Sequence, residues 1–206
     1  MAAVSELAAT AQRAQDWKDL LEEILPPQGQ WSPEEYLVLT EHCNRLVEYT
    51  DGFLEALPMP TDKHQSVLKF LLFAFSLFVE AKGGKVQFAP LRLQIRSGKF
   101  REPDLLLLRS TSDPRRQNRF WLGADLALEV VSEEKPERDL VEKRGDYAEG
   151  RVPEYWIVNP QTETITVLNI SGDSYSEVGI YRRGDSAASM LLSGFAIDVD
   201  AVFDAD

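Results

Sequence analysis

The chain has 206 residues, 44% of them hydrophobic, and its 34 acidic and 22 basic side chains give a formal net charge of −12. This length fits one globular domain, and the single cysteine, Cys43, excludes an internal disulfide and a cysteine-based zinc cluster. The acidic charge disfavours a general nucleic-acid binder, and without a membrane-spanning apolar run or a signal-peptide pattern we expect a cytoplasmic protein with no membrane partner.

Local sequence signals divide the chain into helices and strands. Helices are predicted over residues 5–25, 31–39, about 62–82 and about 136–149. Strands are predicted in two arms of a hairpin within residues 45–57 and then over 85–89, 91–95, 104–108, 125–132, 154–159 and 164–170, with a final hairpin around Gly172. Ser32 is placed to cap the second helix, and Asp51-Gly52 is typical of a hairpin turn.

The order of these elements predicts the fold class and the domain organisation. Strands and helices that follow one another along the chain favour an α/β domain with a mixed central sheet flanked by helices, over residues 31–206. Residues 1–30 are expected to form a helical N-terminal extension. The strand at 125–132 is apolar almost throughout, which indicates that it is buried on both faces.

Three side chains near the predicted sheet suggest chemistry. Asp104 begins one apolar strand, Glu129 interrupts the next one, and Lys143 lies on the following helix on the same face as Asp139 and Tyr147. Two strand-borne carboxylates near a lysine are what a phosphodiester hydrolase needs, because carboxylate oxygens hold Mg²⁺ and an ammonium can orient the attacking water or stabilise the developing charge. Mn²⁺ could serve in place of Mg²⁺.

Each of these residues also has a purely structural interpretation. Asp104 could be a strand-start residue bonded to backbone, Glu129 could belong to a buried ion pair, and Lys143 could simply pair with Asp139. Further candidates lie upstream: Glu48 and Glu55 in the two arms of the hairpin, and His64 and Gln65 at the start of the long helix. For Glu48 the sequence favours a surface strand position, and for His64 a capping or solvated one.

An ordered series of sequence blocks resembles a known family. The blocks are "WSPEEYLVL", "RLVEYTDGFLEAL", "DKHQSVLKFL", "REPDLLLL", "LALEVVSE", "RDLVEKRGDY" and "VPEYWIVNPQTETITVL", which span about residues 31–170. In order and spacing they resemble the Uma-type family of putative restriction endonucleases, assigned to the PD-(D/E)XK nuclease superfamily. The resemblance implies a restriction-endonuclease-like fold, with a mixed central sheet flanked by helices.

The resemblance also implies roles for individual residues. Pro103-Asp104 matches the "PD" pair, which makes Asp104 a metal ligand, and Glu129 matches the second acidic position, with the backbone carbonyl of Val130 as a third ligand. Val131 stands where the superfamily usually has its lysine, and Lys143 on the next helix matches the relocated ammonium. Glu55, His64 and Gln65 match positions at the edge of the site as auxiliary groups. The stretch from Ser132 to Pro136 departs from the family by carrying two additional glutamates.

Three functions are compatible with the sequence. The first is a Mg²⁺-dependent DNA endonuclease that acts through Asp104, Glu129 and Lys143. A homodimer would suit this function, since two-fold symmetry suits the cutting of both strands. The second is a catalytically inactive binding or assembly protein that keeps the fold, with Glu129 and Lys143 as a buried ion pair. The third is a metal-dependent hydrolase of small phosphoesters, which would tolerate an acidic surface better.

The charge distribution indicates where a phosphate could bind. Residues 82–151 hold 15 of the 22 basic and 12 of the 34 acidic residues, so this stretch carries +3, and the remainder, with 7 basic and 22 acidic residues, carries −15. We therefore expect any phosphate-facing surface to lie in this middle third.

Overall fold

A computed structural model describes Gln12 and residues 24–206 of the chain. The helix predicted over residues 5–25 and most of the proposed N-terminal extension therefore lie outside the described residues. Within the described part, no helix is both long and apolar enough to span a membrane.

The remaining elements follow the predicted order closely. The helices are α1 (Pro33–Glu41), α2 (Asp62–Glu80), α3 (Lys143–Glu149) and α4 (Val199–Phe203), and a π-helical turn (Arg138–Glu142) runs directly into α3. The strands are β1 (Val47–Thr50), β2 (Phe53–Ala56), β3 (Lys85–Phe88), β4 (Leu93–Arg96), β5 (Lys99–Arg101), β6 (Leu105–Leu108), β7 (Leu126–Val130), β8 (Glu154–Asn159), β9 (Thr164–Ser171), β10 (Ser174–Tyr181), β11 (Ser186–Ala188) and β12 (Ala196–Asp198).

The strands form a mixed central sheet and a smaller side sheet. Among the described residues, the central sheet has the order β10-β9-β8-β7-β6-β3, the side sheet the order β2-β1-β5-β4, and β11 pairs with β12. In the central sheet β7 and β8 are parallel, whereas the other neighbours are antiparallel. The predicted α/β fold with a mixed sheet is confirmed. The predicted strand at 91–95 is shifted to Leu93–Arg96 and belongs to the side sheet.

Short-range interactions fix the boundaries of several predicted elements. The Ser32 hydroxyl accepts a hydrogen bond from the Glu35 N–H at 3.2 Å, and the Glu35 carboxylate accepts one from the Ser32 N–H at 2.8 Å, so α1 begins with a complete capping box. Asp51 and Gly52 both have positive φ, at 47° and 91°, which is the turn geometry that the dipeptide predicts. Gly83, at φ 83°, follows the end of α2.

The core lies on both faces of the central sheet. Leu71 and Phe75 of α2 pack on one face against alternate residues of β6 and β7. Tyr147 and Ala148 of α3 cover the other face, where the intervening residues of the same strands point. All residues of β7 are buried, as its apolar sequence predicts, so Glu129 lies between two packed layers.

Candidate active site at the end of the central sheet

The register of β6 and β7 brings two carboxylates side by side. Leu105 pairs with Leu128 and Leu106 with Ala127, so the next position in the same register places Asp104 opposite Glu129. Directly opposed residues of antiparallel strands share a face of the sheet. The Asp104 N–H also points to Glu129 Oε2, at 3.4 Å. The two carboxylates therefore lie on the same side of the sheet, the side that α3 covers.

Glu129 is almost completely enclosed and has partners on both oxygens. It is 1% exposed, the Tyr147 hydroxyl donates to Oε1, and Lys143 Nζ lies 2.9 Å from Oε2. Burial raises the pKa of Glu129 well above its ordinary value; the Lys143 ammonium favours the carboxylate, and the neighbouring charges of Asp104 and Asp139 disfavour it. The acidic charge around Glu129 is therefore only partly balanced.

Lys143 bridges two acidic residues. Its Nζ lies 2.9 Å from Glu129 Oε2 and 3.0 Å from Asp139 Oδ1, and the side chain is 5% exposed. Burial disfavours the ammonium, but Glu129 and other carboxylates outweigh it, and the pKa of Lys143 is raised. Asp139 is itself held, because its Oδ2 accepts the Ser132 N–H at 3.0 Å. The pairing with Asp139 and the approach to Glu129 thus occur together, not as alternatives.

Val131, at the position where the resemblance implies a lysine, is a core residue. Val131 is 2% exposed and packs in the core with Tyr147, and its N–H donates to the Val158 carbonyl at 2.8 Å. Lys143, the first residue of α3, brings an ammonium to 2.9 Å from Glu129 Oε2. The π-helical turn before α3, closed by the Lys143 N–H on the Arg138 carbonyl, sets where Lys143 begins its helix. Such π-helical turns are frequent at functional sites.

Asp104 connects the sheet to the first turn of α2. Its Oδ2 accepts the Val130 N–H at 2.8 Å and lies 3.1 Å from His64 Nε2. Burial opposes ionisation, but the hydrogen bond and charge of His64, together with Lys143 and the Val130 N–H, lower the pKa of Asp104. Burial would lower the pKa of His64, but Asp104 raises it above its ordinary value. His64 thus holds an ionised carboxylate and is neither a cap nor a solvated side chain.

The other auxiliary candidates lie at different distances from this centre. Gln65 lines the same cavity as His64. Glu55 does not line that cavity; it is half exposed and pairs with Arg138 and with Lys135, at 3.1 Å from the latter.

The surface position favoured for Glu48 is wrong. Its side chain is 1% exposed, contacts Arg101 Nε at 3.3 Å and accepts a hydrogen bond from Arg138. The four-residue strand β1 gives no alternation by which this burial could be recognised, and the covering arginines come from β5 and the π-helical turn. Sequence reasoning missed Arg101 and Arg138 for the same reason: each looks like an ordinary solvated cation until the fold places it.

A cavity of about 270 Å³ opens beside the two carboxylates. Asp104, Glu129, Val130 and Lys143 form one part of its lining, the carboxylate wall, and the segment before α2 and the end of β3 form other parts. It is a concave site that combines apolar walls with a few polar groups, as ligand sites do.

The donor set at this wall fits a hard divalent cation. Asp104 and Glu129 supply carboxylate oxygens. The N–H of Val131 points to β8 and that of Val130 to Asp104, so strand alternation directs the Val130 carbonyl to the Asp104 side as well. Mg²⁺ is typically held by one or two carboxylates, and it keeps several waters. No cluster of three or more His, Cys, Asp or Glu suited to a metal occurs among the described residues, so the protein oxygens available here are those of the two carboxylates and the Val130 carbonyl.

Much of the positive charge of residues 82–151 is held in ion pairs. Arg96, Arg115 and Arg119 each contact two carboxylates at 2.5–2.9 Å. Arg101 and Arg138 are buried against Glu48. The expected positive surface of the middle third is therefore largely neutralised, partly by acidic residues of the same segment, such as Asp113 and Asp125, and partly by acidic residues from before it, such as Glu34 and Asp51.

Comparison with known proteins places the chain in a family. The sequence profile of the Uma2 family, described as "Putative restriction endonuclease", matches residues 33–200. The chain belongs to the Uma2 family. The resemblance noted in the sequence is thereby confirmed, and it extends through the C-terminal strands and into α4.

A solved structure is similar to this Uma2-family chain in fold. It is the crystal structure of a putative nuclease belonging to DUF820 from Anabaena variabilis, with a TM-score of 0.70 and 16% sequence identity, and the match covers 86% of this chain and 98% of that one. At this identity the likeness shows the fold alone. No curated protein matches the sequence.

Proposed function

We propose that this Uma2-family protein is an endonuclease that hydrolyses phosphodiester bonds of DNA with a bound divalent cation, Mg²⁺ or Mn²⁺. The observation that carries the proposal is the placement of Asp104 and Glu129 opposite each other on one face of the sheet, beside a cavity, with Lys143 Nζ 2.9 Å from Glu129. The family description, putative restriction endonuclease, supports the same reaction class.

Each residue of the site has a distinct proposed role. Asp104, Glu129 and the Val130 carbonyl would hold the cation. When bound, the cation polarises the phosphate and lowers the pKa of a coordinated water. Lys143, which lines the same cavity, orients the attacking water or stabilises the charge that develops on the phosphate. His64 holds the Asp104 carboxylate.

Two further residues position these groups. Tyr147 donates a hydrogen bond to Glu129 Oε1, and Asp139 fixes the ammonium of Lys143 at 3.0 Å. Side chains locked in this way keep the site ready before substrate binds, which is what a preorganised site requires.

A second candidate is a catalytically inactive protein with the same fold. The ion pair between Lys143 and Glu129, at 2.9 Å and almost fully buried, favours it, because this pair satisfies the carboxylate without a metal. Under this alternative the cavity would bind a partner without hydrolysing it, and no cation would stabilise the fold.

Cleavage assays test the proposed reaction. Purified protein is incubated with supercoiled plasmid DNA and Mg²⁺ or Mn²⁺, next to Asp104→Asn and Glu129→Gln. We expect each substitution to lower the cleavage rate at least about 100-fold, since metal sites depend on each ligand. The matched controls Asp173→Asn and Glu177→Gln change exposed acids and should retain the rate. Cleavage that survives both site substitutions would overturn the mechanism, and hydrolysis of small phosphodiesters in preference to DNA would support the smaller-substrate alternative.

Metal binding can be tested without any activity. A ligand that binds only the folded state raises the free energy of unfolding by about 2.7 kcal/mol at 100 times its dissociation constant. Thermal unfolding of the unsubstituted protein should therefore shift upward with Mg²⁺, and that of Asp104→Asn should not. A metal shift without cleavage would indicate an inactive metal-binding protein, and no shift at all would favour the ion-pair alternative. Light scattering of the same preparation tests the homodimer that cutting both strands would suit.

A further inference from the structure

The cavity has a second wall whose chemistry the hydrolytic residues do not use. Besides the carboxylates it is lined by apolar residues of the segment before α2 and of the end of β3, among them Leu57, Met59 and Phe88. Met59 is 68% exposed and Phe88 48% exposed. Phe88 is the last residue of β3, at an edge of the central sheet, and the next residue, Ala89, bonds to the Asp104 carbonyl at 3.2 Å. Phe88 pairs with Leu105 and so belongs to the α2 face of the sheet, and the cavity at the end of the sheet is lined both by this exposed residue and by the two carboxylates.

The depth of the carboxylates determines how a substrate can reach them. The Glu129 side chain is 2% exposed and that of Asp104 is 12% exposed, so a phosphodiester has to enter the cavity to meet them. Each phosphodiester carries a nucleoside on either side, and at least one of these must follow it inside. The volume of about 270 Å³ lies near the lower limit of ligand pockets, about 300 Å³, which suits one nucleotide and not a stacked, paired duplex.

The charges around the cavity also favour a single nucleotide over a duplex. Lys135, Arg138 and Lys143 are each paired with a carboxylate, and Lys63 donates to backbone carbonyls near the C-terminus, at 2.6 and 3.0 Å. A duplex presents a phosphate charge about every 1.7 Å of its axis and is bound mainly by cations that neutralise it. An engaged set of cations gives little of that attraction, whereas stacking of a base on an aromatic ring needs no free cation.

We propose that the cavity binds an unpaired nucleotide of a DNA strand, with its base against Phe88 and Met59 and its phosphodiester at Asp104 and Glu129. The protein then prefers single-stranded or gapped DNA to continuous duplex. This inference rests on the proposed function, because it takes the carboxylate wall as the site that receives the phosphodiester. It adds the substrate's strand state and the two residues that select it.

A binding experiment tests the inference separately from cleavage. Fluorescence anisotropy measures binding of a labelled oligonucleotide as a single strand, as a continuous duplex and as a gapped duplex, with Mg²⁺ and the full chain carrying Asp104→Asn to prevent cleavage. In this background Phe88→Ala should weaken single-strand binding at least about fivefold, the lower range for loss of one stacked base. The matched control is Phe73→Ala, which removes an aromatic ring 63% exposed on α2 and outside the cavity lining. Met59→Ala, in a loop, provides a second variant should Phe88→Ala disturb the edge strand.

The outcomes separate this inference from the proposed function. The inference is supported if single-stranded and gapped DNA bind more tightly than duplex and if Phe88→Ala or Met59→Ala, but not Phe73→Ala, abolishes this preference. This support does not require that cleavage is found. Three results would overturn it. The first is equal or tighter binding of duplex, and the second is no binding to any DNA. The third is that Phe88→Ala and Phe73→Ala have equal effects while Met59→Ala has none. Cleavage of duplex plasmid would stand independently of that result.

Discussion

Replacing Lys143 by Met should destabilise the fold far more than removal of a surface lysine. Met keeps a long unbranched side chain but removes the ammonium that Glu129 and Asp139 share at 2.9 and 3.0 Å, with all three side chains at most 6% exposed. Two carboxylates would then remain buried without their cation, and breaking a buried pair in this way costs about 3–5 kcal/mol. The matched control is Lys85→Met, whose partner Glu80 lies 2.8 Å away but whose pair is 29% and 41% exposed. We expect about 0–1 kcal/mol there.

Urea unfolding followed by circular dichroism measures both free energies under one set of conditions. Adding Glu129→Gln to Lys143→Met should recover part of the loss, because it removes one of the two uncompensated charges. A Lys143→Met variant that lies within 1 kcal/mol of Lys85→Met would refute the reasoning, since it would mean that the carboxylates of Glu129 and Asp139 are already solvated or neutral.

Three further predictions concern stability and use the same unfolding assay. Glu154 is fully buried and accepts hydrogen bonds from an indole N–H, a hydroxyl and two backbone N–H groups at 2.6–2.9 Å. Glu154→Gln turns one acceptor oxygen into a donor and should lower the free energy of unfolding by about 1–3 kcal/mol. An unchanged stability would contradict these contacts. Gly52→Ala should lower the free energy of unfolding clearly more than Gly172→Ala. Both glycines have positive φ, but a Cβ at Gly52 would lie 2.5 Å from the Gly29 carbonyl oxygen, whereas the space at Gly172 is open. Equal losses of stability would argue against the close approach at Gly52. Ser32→Ala removes the cap of α1 and should cost about 1 kcal/mol, with loss of helical signal before the main transition as the check.

The elements themselves could be read from the sequence because their signals are local. The capping box of Ser32 and Glu35 and the turn at Asp51-Gly52 act over two to four residues, and the structure contains both. Burial of β7 on both faces follows from its unbroken apolar sequence. What the sequence did not separate is the membership of strands: β3 and β4 follow each other in the chain, yet they belong to different sheets.

The sequence therefore determined which side chains are candidates for the site, and the tertiary structure decided which of them meet. That Asp104 faces Glu129 depends on the register of β6 against β7, which long-range pairing sets. That the Lys143 ammonium reaches Glu129 depends on the packing of α3 against that pair. Glu48 shows the limit most clearly: nothing within β1 marks it as buried, because the arginines that enclose it are supplied by elements more than 50 residues away along the chain. Contacts of this kind are absent from any local pattern, since they form only when the sheets and helices pack.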